Sequence, residues 1–90
     1  MPRRNRLEII TSILNICKVN GSSKTRIVYQ ANLNFKNAGV YLDWLTKRGY
    51  LVKEDKIYKT TPAGMALLAN LTDITSMINE DLDRDLPRSV

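Results

Sequence analysis

The chain has no histidine and a single cysteine, Cys17. Without histidine it lacks the commonest general base and the commonest transition-metal ligand. One cysteine excludes an intrachain disulfide and every cysteine-cluster zinc site. The four glycines, at positions 21, 39, 49 and 64, all stand alone. No glycine-rich loop is therefore present to cradle a phosphate. No apolar run approaches the roughly 20 residues that a membrane helix needs. The opening stretch MPRRNRLEIITSILNIC interrupts its apolar residues with Thr11, Ser12 and Asn15, unlike a secretory leader. No nucleophile–base pair stands out either. These absences set the expectation of a protein that is not an enzyme, with no cofactor, no metal and no membrane span.

What remains describes a small globular domain. Ninety residues bury roughly 60–65% of the unfolded surface, so the core is thin. Hydrophobic residues make up 43% and charged residues 26%, which rules against disorder throughout. The net charge is +5 and the pI about 9.6. Its distribution is uneven: residues 1–59 carry +8 and residues 60–90 carry −3. A basic body suits a polyanion, whereas the acidic end suits protein or water.

Apolar periodicity divides the chain into elements. Leu7, Ile10, Ile13, Leu14 and Cys17 recur at helical spacing and predict a first helix over 5–19, closed by Gly21 in a left-handed cap. Cys17 falls on its core face. Ser22-Ser23 offers an N-cap for a short helix over 23–31, with Ile27, Val28 and Ala31 inward. Leu33 plugs the turn that follows, and Asn34 caps a third helix over 35–48. That helix buries Ala38, Leu42 and Leu45, with Phe35 and Tyr41 beside them, and ends at Gly49. Residues 50–53 and 57–60, linked by Glu54-Asp55-Lys56, predict a hairpin with Leu51 and Ile57 inward and Lys53 and Lys59 outward. Thr61-Pro62 is a strong helix start. Gly64, Leu67, Leu71, Ile74 and Ile78 then form a seam of about two heptads.

The order helix, helix, turn, helix, hairpin, helix is that of a winged helix-turn-helix. The expected fold is mainly α (α+β), with a two-stranded wing and a C-terminal dimerisation helix. Residues 1–60 form the winged part, 61–86 the last helix of the same domain, and 87–90 a frayed tail. A helix fits the major groove of DNA, and its N-terminal half reaches base edges. On the third helix Lys36, Asn37, Val40, Asp43 and Lys47 point outward. Lys36 suits a guanine edge or a phosphate, Asn37 an adenine, and Val40 a thymine methyl. Lys24, Arg26 and Tyr29 on the second helix are placed for phosphates. Lys53, Lys56 and Lys59 on the hairpin suit a further stretch of backbone, and Arg3, Arg4 and Arg6 form a basic arm. Trp44 is expected to pack against the wing or the last helix. Asp81, Asp83 and Asp85 imitate the opening of a calcium loop, but Leu86 stands where that loop needs glycine.

The stretch from Arg6 to about residue 70 resembles the archaeal ten-kilodalton winged-helix DNA-binding proteins of the 10a type. LEII near the start, SKTRIVYQANL, YLDWLTKRGYL and TTPAG carry the likeness. The resemblance implies DNA contact at Lys24, Thr25, Arg26 and Tyr29, and along the third helix from Lys36 to Tyr41. It also implies homodimerisation over residues 62–82, through Leu67, Leu71, Ile74 and Ile78. With only two heptads, a compact helix pair is expected rather than a long coiled coil. The expected function is duplex DNA binding, as a transcriptional regulator or a nucleoid-associated protein of the cytoplasm. The alternative is a winged-helix module that binds protein and not DNA.

Overall fold

A computed structural model describes residues 6–70. The basic arm at Arg3 and Arg4, the seam residues Leu71, Ile74 and Ile78, and the acidic stretch after them lie outside the described residues.

Chain-local signals set most of the element boundaries. Helix α1 runs Arg6–Cys17 and turns Ile9, Ile10, Ile13, Leu14 and Cys17 inward. Gly21 follows at φ 78°, a left-handed conformation that costs glycine nothing. The Ser23 side chain accepts the Arg26 N–H and starts α2, Lys24–Gln30. Asn34 accepts the Asn37 N–H at 2.7 Å and starts α3, Phe35–Lys47. Strands β2 (Leu51–Glu54) and β3 (Ile57–Thr60) form the wing. Thr61 caps α4, Pro62–Ala69, with Pro62 in its first turn.

The sheet departs from expectation. A two-residue strand, β1 (Ser22–Ser23), pairs antiparallel with β3, so the order is β1-β3-β2 and the wing is three-stranded at its base. Ser22 stands opposite Tyr58 and Ser23 opposite Ile57. This pairing fastens the start of α2 to the hairpin. The hairpin link is also shorter than predicted, because β2 extends through Glu54. Asp55 makes the turn at φ 60°, which aspartate tolerates better than most residues.

Face assignments on β3 need correction. Tyr58, not Ile57, is the buried residue, at 9% exposure. In the observed register Leu51 faces Thr60 and Lys53 faces Tyr58. Tyr58 thus shares the inner face with Leu51, and Ile57 falls on the opposite face beside Glu54. Phe35 is likewise not beside the core but 52% exposed, whereas Tyr41 is fully buried. Trp44 is buried and packs against Tyr50, with ring centroids 6.1 Å apart.

The core gathers α1, Ile27, Ala31, Leu33, the inner face of α3, Leu51, Tyr58 and Leu67. The Thr60 hydroxyl donates to the Leu14 carbonyl at 2.7 Å and ties the wing to α1. Leu67, expected on the dimer seam, is 3% exposed and belongs to this core. Gly64, the seam's predicted first residue, packs closely against the Tyr50 backbone instead.

Two buried acids make the fold sensitive to alkali. Burial raises the Cys17 thiol from 9.0 to about 11, against a Ser22 backbone hydrogen bond that lowers it. Burial raises the Tyr41 phenol from 10.0 to about 12, against the positive charge of Arg6. The unfolded chain releases both protons at lower pH than the folded chain does. The stability they support is therefore complete below pH 9 and is lost as pH rises from 9 toward 12. Urea midpoints are expected to match at pH 7 and 8 and to fall clearly by pH 11. A constant midpoint across that range contradicts the burial of both groups.

Candidate nucleic-acid interface

Helix α3 is amphipathic, with Ala38, Tyr41, Leu42, Trp44 and Leu45 inward. Its other side presents Lys36, Asp43 and Lys47 exposed, and Asn37 and Val40 half-buried. Val40 leans against the edge of the core. Tyr41, placed on the contact surface by family resemblance, is turned into the interior at 0% exposure and has no face for a ligand. Its position on the inner stripe of α3, between Ala38 and Leu45, is the reason.

On α2, Thr25, Arg26 and Tyr29 are exposed and Lys24 is half-buried. The Lys24 ammonium lies 4.9 Å from the centre of the Phe35 ring. It also passes over Gly39, where a β-carbon would meet it at 3.0 Å. The interior glycine of α3 thus leaves room for a cation reaching across from α2.

Lys53, Lys56 and Lys59 are exposed on the wing. Lys59 pairs with Glu54 at 3.0 Å, so part of its charge is already met. The Lys53 ammonium lies 5.6 Å from the Tyr58 ring. Because β1 docks on β3, the wing stands beside the start of α2. A groove of about 250 Å³ forms there, lined by Ser23, Lys24, Thr25, Lys53, Lys56 and Tyr58. Three lysines from α2 and the wing line it, and no carboxylate does. Such a site suits a phosphate, with hydroxyl donors from Ser23 and Thr25.

A second groove, about 440 Å³, lies toward the end of α3 between Val40, Asp43, Trp44, Lys47 and Arg48. The Arg48 guanidinium sits 4.8 Å from the Trp44 ring. Arg48 and Phe35 were not among the residues expected at the interface. The only sequence signal for Arg48 was its place in the last turn of a basic helix, and for Phe35 there was none. Among the described residues no group of three or more Cys, Asp or Glu side chains is arranged to hold a metal ion, and no helix is long and apolar enough to cross a membrane.

Residues 3–79 match a family model described as winged helix-turn-helix. The chain belongs to that family. This winged helix-turn-helix chain is 34% identical over 77 residues to an uncharacterised protein of Methanocaldococcus jannaschii, covering 86% of this chain and 79% of that one. A second uncharacterised protein of the same organism is 33% identical over 79 residues, covering 88% of this chain. The chain spans only 37% of that longer relative. Among solved structures, the winged helix-turn-helix superposes on Sso10a-2, a DNA-binding protein from Sulfolobus solfataricus, with a TM-score of 0.67. The two are 32% identical, and the match covers 90% of this chain and 87% of that one. The resemblance to the archaeal ten-kilodalton type agrees with these relatives.

Proposed function

We propose that this protein binds duplex DNA as a homodimer, with α3 in the major groove and the wing on the backbone. The observation that carries the reading is the lysine groove between α2 and the wing. Three lysines line it along the join of α2 and the wing, and one of them, Lys24, reaches across to α3 at Phe35 and Gly39. In this reading Lys36, Asn37 and Val40 meet base edges. Thr25, Arg26, Tyr29 and Lys47 flank them along the sugar–phosphate backbone, and Lys59 contributes weakly because of its pairing with Glu54. Support also comes from the DNA-binding description of Sso10a-2, which shares this fold and about a third of its residues. Dimerisation is assigned to the last helix, through Leu71, Ile74 and Ile78; Leu67 supports that helix from within the domain. The protein then acts in the cytoplasm on the nucleoid, as a regulator or as a packaging protein.

Fluorescence anisotropy with labelled duplexes across a salt series tests the reading. If each protomer neutralises about five phosphates, the log–log slope for a dimer is near −9. Lys36→Ala/Asn37→Ala is expected to weaken binding at least tenfold, since each good base contact contributes about 1–3 kcal/mol. Loss confined to particular sequences identifies a regulator, and equal loss on all of them identifies packaging. A slope near zero ends the proposal. Sedimentation equilibrium of wild type beside Ile74→Asp/Ile78→Asp tests the dimer; an unchanged molecular mass for the variant removes the helix from the interface.

A further inference from the structure

Two grooves meet where α2 begins. Beside the lysine groove lies a larger one, about 520 Å³, whose walls include Arg26, Val28, Tyr29 and Phe35. Ser23 and Thr25 line both. Tyr29 is 87% exposed and Phe35 52% exposed, whereas Tyr41, Trp44, Tyr50 and Tyr58 are buried or half-buried. No carboxylate lines either groove. Lys24 joins the two, since it lines the lysine groove and sets its ammonium over the Phe35 ring.

Duplex binding uses the Tyr29 hydroxyl at most and leaves the faces of both exposed rings, Tyr29 and Phe35, without a partner on the DNA. Bases in a duplex are stacked on one another, so their faces are not available to a side chain. An unpaired base offers its whole face, and stacking on an aromatic ring is tolerant of base identity. An aromatic groove next to a cationic one has the two chemistries that a single nucleotide presents, a flat heterocycle and a phosphate.

We propose that the paired grooves bind an unpaired nucleotide of single-stranded DNA. The base stacks against Tyr29 and Phe35, and its phosphate sits among Lys24, Lys53 and Lys56. This rests on the nucleic-acid reading above and shares its lysine groove, but adds the Tyr29–Phe35 groove, apart from Lys36 and Asn37. Melted or frayed DNA is then held by the same protein that holds the duplex.

The test uses the full chain and a fluorescein-labelled oligothymidylate carrying one internal 2-aminopurine, whose emission falls on stacking. Wild type is expected to bind the strand and quench the 2-aminopurine. Tyr29→Leu/Phe35→Leu is expected to bind it roughly tenfold more weakly and to leave the emission unquenched at saturation. Lys36→Ala/Asn37→Ala, which is expected to lose duplex affinity, keeps the quenching. Strand binding by wild type without quenching overturns the proposal, and so does full quenching by the leucine variant. Quenching that persists when duplex binding is absent in wild type leaves this site standing and removes the duplex reading. Duplex binding without any strand binding does the reverse.

Discussion

Gly64→Ala is expected to lower stability by about 3 kcal/mol, a fall in melting temperature of roughly 12–24 °C for a domain of this size. The reason is a backbone contact. A β-carbon at position 64 would press into the Tyr50 carbonyl oxygen and lie 2.7 Å from the Thr60 methyl. Neither neighbour can step aside cheaply. The Tyr50 carbonyl accepts the Thr61 N–H at 3.1 Å, while the Thr61 hydroxyl donates to the Gly49 carbonyl at 2.5 Å and accepts the Gly64 N–H at 3.1 Å. The first turn of α4 is thus tied to the end of α3, and a methyl group there opens the tie. Overpacking against backbone costs up to about 3 kcal/mol, and the lost hydrogen bond about 1 more. Alanine's better helix propensity returns about 1 kcal/mol. Gly39→Ala is the control, because its β-carbon would meet only the mobile end of Lys24. That variant is expected to melt at or above the wild-type temperature. Thermal unfolding followed by circular dichroism compares the two, and a Gly64→Ala protein as stable as wild type contradicts the contact.

The same Gly64 shows which features the sequence made legible. Caps are local chemistry, and Ser23, Asn34 and Thr61-Pro62 each begin a helix where the residue type says one should begin. The inner faces of α1 and α3 were legible from spacing, because a stripe of Ile and Leu has one stable way to face a core. Strand β1 was not legible. Two serines carry no alternation, and they are extended because β3 offers them a partner 34 or more residues away. The face error on β3 has a related cause. Ile57 and Tyr58 are both apolar, so a four-residue strand gives no period to read, and the register with Leu51 decides. Gly64 fits a heptad as well as it fits a close approach, and only the position of Tyr50 separates the two. The candidate site divides in the same way. Outward lysines on α3 and the hairpin follow from pattern. That Lys24, Lys53 and Lys56 share one groove follows from the β1–β3 pairing, which no local signal announces.

That groove carries the second large effect. Lys24→Gln/Lys53→Gln/Lys56→Gln is expected to make the salt dependence of duplex binding shallower by about 2.7 per protomer, which is 0.9 for each phosphate released. At physiological salt the affinity is expected to fall by roughly 10²-fold for each protomer that engages the duplex, and so by roughly 10⁴-fold for the dimer. Glutamine keeps most of each side chain, so the loss reports charge rather than packing. Wing lysines are not equivalent in this respect. Lys59 is already paired with Glu54, both are largely exposed, and Lys59→Gln is expected to change the slope little. The loss in the triple variant is expected to be uniform over duplex sequences, because a phosphate carries no sequence information. Lys36→Ala/Asn37→Ala differs on that point, since base edges distinguish one duplex from another. Measuring both variants on two unrelated duplexes separates positioning from reading. If the triple variant loses affinity on one duplex only, the lysine groove reads bases. If its slope matches wild type, the three ammonium groups do not meet phosphates, and the wing lies away from the DNA.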